Sequence, residues 1–386
     1  MSIGELPLWY LRGRELKPIV QGGMGIGVSA HRLAGAVASN GAMGTISGMD
    51  LRHHHPDLLA QSEATRDKAL VDRLNLVALD REVKKALVLS GGRGAIAVNV
   101  MKAVSEQAAY VRQACESGAH AIVMGAGLPL DLPELAADFP DVALIPILSD
   151  ARGIRIVLKK WIRRNHLPDA IVIEHPRFAG GHLGATKIEE LPDPRFDFAP
   201  IIEETWQLFK ELQIERERIP LIAAGGIHTH DQVVELLRAR VAAVQIGTAF
   251  AVTEEGDAHR NFKNVLAQAR PEDIVTFMSV AGLPARAVLT PWLKNYLRRE
   301  TRLQSHAKAD PARCVPGFEC LTVCGLRNGL AKLGQFCIEM RLADALKGDL
   351  KKGLFFRGSE PLPFGSAIRP VQELMEYLLS GRMPAY

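Results

Sequence analysis

The sequence predicts an α/β fold: a (β/α)8 TIM barrel with helical insertions and a C-terminal cysteine-containing extension. Three observations carry this. Short, near-continuously apolar runs alternate with longer helical stretches, as parallel strands buried on both faces do. Eight such β/α units follow one another in one series. Glycine clusters recur at or just beyond the strand ends, in step with that series. An open doubly wound sheet is the alternative, and it would bind its ligand at a switch point.

The strands are read at 18–21 (PIVQ), 42–47 (AMGTIS), 95–99 (AIAVN), 119–124 (AHAIVM), 143–148 (ALIPIL), 169–174 (DAIVIE), 220–224 (PLIAA) and 242–246 (AAVQI). Helices are expected over 29–39, 104–117, 131–138, 152–165, 197–214 and 230–239. Residues 48–94, with GMDLRHHHPDLL, are expected to add one or two helices. Residues 185–196 (ATKIEELPDPRF) form a polar loop after the sixth strand. Long loops at that end of a barrel often cover an active site. Residues 257–295 read as helical and close the barrel. From about 296 the chain turns basic and polar (LRRETRLQSHAKADPARC), and the cysteines follow. The expected division is therefore a barrel over 1–295 and an extension over 296–386.

Composition bounds the function classes. Among 386 residues, 47% are hydrophobic and 23% charged, which argues against disorder, collagen and coiled coil. Lys+Arg is 47 against 43 Asp+Glu, and a net charge of +4 is too small to argue for nucleic acid. The basic run VLKKWIRRNH (157–166) is expected to be the solvated outer face of a helix; an acidic partner such as RNA or a carrier protein is the alternative. No apolar run approaches about 18 residues, so no membrane span is expected. The N-terminus shows no secretion signal. Five cysteines without one point to a reducing cytoplasm.

The glycine clusters read Gln21-Gly22-Gly23-Met24-Gly25, Met124-Gly125-Ala126-Gly127, Ala179-Gly180-Gly181-His182-Leu183-Gly184, Ala224-Gly225-Gly226 and Gly247-Thr248. Glycine there lets backbone N–H groups approach a ligand with no Cβ in the way. The last two clusters follow strands seven and eight, the usual phosphate position of this barrel. Amides at those turns would form an anion nest. Tight-turn chemistry alone is the alternative.

With those motifs in view, PIVQGGMG, AVNVM, AGGHLG, AAGGI and VQIGTAFAVTEE resemble the FMN-dependent nitronate monooxygenase family, the 2-nitropropane dioxygenases. Flavin-type enoyl-acyl carrier protein reductases share nearly the same motifs. The resemblance spans roughly residues 15–290. It implies that Gly22, Gly23 and Met24 lie against the flavin. Asn99 would hydrogen-bond its ring or ribityl chain, and Gly180 and Gly181 would pass close to it. Ala224, Gly225, Gly226, Gly247 and Thr248 would seat the phosphate, with Gln245 at or near the barrel top. His182 would match the family's catalytic histidine. The segment Gly282-Leu283-Pro284-Ala285-Arg286 resembles a structural closing segment.

A flavin exchanges a hydride at one face, while the protein supplies orientation, proton handling and solvent control. A histidine suits an anionic substrate as base when neutral or as anion clamp when protonated. His182, between Gly181 and Gly184, is thus the expected acid/base; a loop-capping histidine is the alternative. The triplet His53-His54-His55 invites a metal, but adjacent side chains diverge, so a polar loop or helix start before Pro56 is expected. Glu174-His175 and Asp150, at strand ends, reach either the substrate or the rim.

Four cysteines, Cys314, Cys320, Cys324 and Cys337, fall in a C-x5-C-x3-C-x12-C pattern, while Cys115 sits alone on a helix. Such a group in a reducing compartment binds metal or does redox chemistry. The stretch resembles the cluster-binding segment of iron–sulfur flavoenzymes related to dienoyl-CoA reductases, though the first gap is longer here. That resemblance implies a [4Fe–4S] cluster, with Gly317, Gly325 and Gly329 letting the loop wrap closely; zinc or unligated buried thiols are the alternatives. A cluster would suit a one-electron carrier.

The expected activity is an FMN-dependent oxidoreductase acting on a small organic molecule, as nitronate monooxygenases do. One alternative is an FMN/[4Fe–4S] reductase of an activated C=C bond fed by NAD(P)H or a ferredoxin. Another is a flavin-dependent RNA-modifying enzyme, although no RNA-binding domain is recognisable.

Overall fold

The computed structural model describes residues 6–314 and 320–384. Eight parallel strands close into a barrel: β1 (Ile19–Gln21), β2 (Met43–Ser47), β3 (Ala95–Met101), β4 (Ala121–Gly125), β5 (Ala143–Leu148), β6 (Ile171–Glu174), β7 (Leu221–Ala224) and β8 (Ala243–Ile246). Each pairs with its sequence neighbours, and β8 returns to β1, so no edge is left open. The open-sheet alternative is thereby excluded.

Alternation along the strands sorts the core into two layers. In β3, Ala95 and Ala97 point into the barrel, whereas Ile96 and Val98 point out to the helices. Small inward residues (Ala95, Ala97, Ala121, Ala143, Ala243) leave a narrow interior that Val20, Met43, Ile145 and Val172 fill. A two-stranded hairpin, Trp9–Leu11 with Arg14–Leu16, plugs the N-terminal end with Trp9, Leu11 and Leu16. This plug has no signature in the sequence, because its strands are only three residues each.

The outer layer includes α1 (His31–Ser39), α2 (Lys68–Ser90), α3 (Gln107–Glu116), α4 (Ala151–Ile162), α5 (Phe198–Glu211) and α6 (His230–Arg238). The insertion after β2 supplies α2 together with a short helix, Pro56–Ser62. Asp67 caps α2 by accepting the Leu70 N–H at 3.1 Å. The basic face of α4 is tied outward, Arg155 reaching Glu211 at 2.7 Å. The histidine triplet splits three ways, as diverging side chains predict. His53 Nε2 lies 3.2 Å from Asp50, His54 meets the Gly27 carbonyl at 2.8 Å, and His55 lies 3.0 Å from Glu82. His55 is the buried N-cap of the helix that starts at Pro56, the helix start expected there rather than a polar loop.

Residues 257–295 depart from the helical expectation. Arg260–Gln268 is helical and a further helix begins at Pro291, but between them Ile274–Met278 and Pro284–Val288 pair antiparallel, and the second takes Gly181–His182 as a third strand. Beyond them come α7 (Pro291–Ser305), α8 (Ile338–Leu346) and α9 (Val371–Ser380). Among the described residues, no helix is long and apolar enough to cross a membrane.

Candidate functional site

The C-terminal strand tips end at one level: Glu174 pairs in register with Ala224, Ala224 with Gln245, and Ser47 with Asn99. Above them lies a cavity of about 530 Å3. The turn after β1 contributes Gly22, Gly23 and Met24 to its wall, and β3 contributes Asn99. Ala224, Gly225 and Gly226 enter from β7, and Gln245, Gly247 and Thr248 from β8 and its turn. Gly180, Gly181 and His182 enter from the loop after β6. Thus His182 and the residues singled out for the flavin line one cavity. Gly225 and Gly226 have φ of +97° and +80°, which β-branched or bulky residues rarely adopt. Gln21 fixes the β1 tip: its amide donates to the Thr45 carbonyl at 3.0 Å and accepts the Thr45 N–H at 2.9 Å.

The loop carrying His182 is held from outside the barrel series. Arg286 donates to the carbonyls of Ala179 at 2.5 Å and Pro176 at 3.3 Å. Leu183 N–H donates to the Pro284 carbonyl at 2.8 Å. The His182 ring meets Phe356 edge-on at 5.6 Å. Its Nε2 is buried and has no hydrogen-bond partner. Burial pushes its pKa down to about 4, so the ring is neutral near pH 7.

Alternation parts the Glu174-His175 pair. Glu174 faces the cavity, and burial alone pushes its carboxyl up to about 7. His175 turns away and places Nε2 3.1 Å from Asp197 Oδ1. Asp150 also borders the cavity, but it caps α4 by accepting the Gly153 N–H at 2.7 Å.

A family model described as nitronate monooxygenase matches residues 14–381. The chain belongs to the nitronate monooxygenase family. A Bacillus subtilis protein named "Probable nitronate monooxygenase" is 26% identical over 294 residues, covering 74% of this chain and 80% of that one. FabK from Thermotoga maritima superposes with a TM-score of 0.63 at 22% identity, covering 94% of this chain and 91% of that one. A nitroalkane oxidase from Streptomyces ansochromogenes gives 0.62 at 19% identity, with 94% of each chain covered. At such identity these structures establish the shared fold. Family membership makes the chain an oxidoreductase. The family match runs well past residue 290, so the last quarter falls inside the family pattern.

In this family member, the last quarter finishes the cavity wall. Phe356, Arg357, Gly358 and Glu360 line it, as do Leu321, Ile338 and Glu339. Gly358 N–H donates to Thr248 Oγ1 at 3.0 Å. A Cβ on Gly180 would meet Arg357 C and Gly358 N at 2.5 Å, so close backbone crossing alone requires glycine there. Arg357 is buried and donates to the carbonyls of Leu266 at 2.9 Å and Gly358 at 2.7 Å. None of the wall residues from this last quarter was singled out from the sequence, where no spacing links residue 357 to residue 180.

None of the four clustered cysteines is in a disulfide. Burial, then the Glu339 carboxylate and the neighbouring cysteines, push the Cys320 thiol well up. Burial likewise raises Cys337 to about 11. Among the described residues, no three His, Cys, Asp or Glu side chains form a metal-holding group. The [4Fe–4S] expectation for Cys314, Cys320, Cys324 and Cys337 therefore gains no support. Residues 315–319, including Gly317, lie outside the described residues. Cys115 sits in the core, its thiol pushed up to about 12 mainly by burial.

Proposed function

We propose that the chain is an FMN-dependent oxidoreductase that takes a small nitronate-like anion, or the neutral carbon acid from which it forms. The observation that carries this is the convergence of strand-tip glycine turns and an unpartnered His182 Nε2 on one cavity. A volume of about 530 Å3 suits a cofactor-sized ligand. The positive-φ turn at Gly225 and Gly226 fits a phosphate cradle, with Gly247 and Thr248 beside it. Gly22, Gly23, Met24 and Asn99 would flank the ring. Bound there, FMN would accept the substrate's electrons.

The chain's own residues do the rest. Phe356 and the 354–362 segment keep water from the rim, and Arg286 fixes the loop that aims His182. A neutral imidazole hydrogen-bonds the substrate through Nε2 and orients it. The cysteines add no support to the alternative of an FMN/[4Fe–4S] reductase fed by NAD(P)H or a ferredoxin.

Purified protein should be yellow, hold FMN, and consume oxygen when given a nitronate. Colourless protein that takes up no added FMN would overturn the proposal. His182→Asn should keep its flavin and slow turnover by about 10²–10³-fold, as loss of one positioned donor does. Unchanged turnover would remove His182 from the site's chemistry.

A further inference from the structure

We propose that Glu339 anchors the far end of the substrate: its Oε1 accepts a hydrogen bond from a hydroxyl or an N–H remote from the reacting carbon. The substrate class is then a nitronate, or its carbon acid, that carries such a donor, in preference to a plain alkyl compound. This deepens the flavin-dependent activity proposed above and rests on it.

Glu339 lies in the first turn of α8 and lines the cavity together with Ile338 and Leu342 of the same helix. It is only 1% exposed, and its Oε1 has no hydrogen-bond partner. The carboxyl adjoins Asp50 and the Cys320 thiol. Asp50 is already matched, because Arg52 donates to it through Nε and Nη2 and His53 Nε2 lies 3.2 Å away. The guanidinium thus goes to Asp50, and Glu339 is left with an oxygen over. Its neighbours in the cavity wall cannot serve that oxygen, since Met49, Met101, Leu321, Ile338 and Leu342 are apolar. A buried acceptor costs free energy until a donor reaches it. The backbone behind it is tied in place. Leu354 N–H donates to the Arg341 carbonyl of α8 at 2.9 Å, and Leu321 bridges to Val104.

The place of Glu339 around the barrel selects the ligand. In the closed ring, β2 stands four strands from β6, and β3 four strands from β7. His182 follows β6, and the glycine turns suited to a phosphate follow β7 and β8. Asp50 follows β2, and Val104 lies just past β3. Glu339 therefore stands across the mouth from both His182 and the phosphate turns. A substrate reacting beside His182 would point its far end at Glu339. A site built around a hydrogen bond rewards the donor and rejects its isostere, which leaves the oxygen unpaired. A flavin ring N–H offers the same donor chemistry, and the experiment separates the two sources.

The test gives the FMN-loaded enzyme the nitronates of ω-hydroxy nitroalkanes of increasing length, each beside the nitroalkane in which a methyl replaces the hydroxyl. The first pair is 3-nitropropan-1-ol and 1-nitrobutane. At one chain length, kcat/KM should favour the hydroxyl compound by about 10–100-fold. The gain should fall mainly in KM, as a contact held equally in ground and transition states does. Glu339→Leu should bring the hydroxyl compound down to the level of its methyl isostere. Glu339→Asp withdraws the carboxyl by one methylene and should move the preferred length up by one carbon, a shift that a merely structural carboxyl would not produce. A wild type that treats every pair alike would overturn the proposal, whether or not Glu339→Leu folds. So would a preference that survives in Glu339→Leu, or an unmoved optimum in Glu339→Asp. Equal losses on both members of each pair, with flavin released, would assign the carboxyl to the cofactor and overturn it too. Failure of the underlying activity shows separately, as colourless protein or as no turnover of any nitronate.

Discussion

A methyl group on Gly23 would meet Asn99 Cβ at 2.4 Å and Thr45 Cγ2 at 3.3 Å. Neither neighbour can retreat, since both belong to barrel strands. Gly23→Ala should therefore cost about 1–3 kcal/mol by overpacking. Thermal unfolding should show a lower midpoint, and the purified variant should carry less flavin. At this scale the sequence was legible where short motifs speak for themselves: a glycine beside a strand end, a histidine between glycines. It was half legible at Glu174-His175. The pair is visible, but which member faces the cavity depends on the phase of β6. Protonation was not legible at all. The neutral state of His182 arises from burial under a loop and beside Phe356, some 170 residues further along.

The strands were the most readable elements, because each is an apolar run bounded by turn residues. The stretch 257–295 misled for a physical reason. IVTFM and PARAV are too short to show a clear period, and their partner is the two-residue strand at His182, far away in sequence. Between elements, Glu82 of α2 joins α1 to the insertion. Its carboxylate lies 2.6 Å from His31 Nδ1 and 3.0 Å from His55 Nε2, and accepts the His31 N–H at 2.9 Å. Burial would raise its pKa, but the hydrogen bonds from His31 and His55 prevail and hold it well below the ordinary 4.5. A carboxyl lowered on folding stabilises the fold above its unfolded pKa, and that contribution fades as pH falls toward the folded value. Wild-type stability should thus drop steeply below about pH 4.5, and Glu82→Gln should flatten that acid limb. At pH 7 the same variant should lose on the order of 1–3 kcal/mol, the cost of leaving buried donors unpaired. Denaturant titrations at several pH values would check both.

Across the whole molecule, the last quarter of the chain is a wall of the site as well as a cover. The cysteines had drawn the eye to this region as a metal centre; its described contribution is instead the 354–362 segment, which nothing in local sequence announces. Arg357 secures it through carbonyls of Leu266, Gly358 and Glu360. Arg357→Met should keep the side chain's bulk but leave these carbonyls unpaired. We expect faster proteolytic nicking in this segment and weaker flavin retention, with the barrel's circular dichroism unchanged. Intact flavin affinity would show that the segment only covers the site.

The contact of Gly358 with Thr248 and the crossing at Gly180 also set an order of events. A ribosome must synthesise the chain to about residue 362 before this pocket can be sealed. Until then the barrel, even if already closed on itself, presents an open apolar mouth to the cell. Chains that stall or are cut short near residue 350 would therefore be barrels without a roof, exposed to quality control although most of their fold is complete.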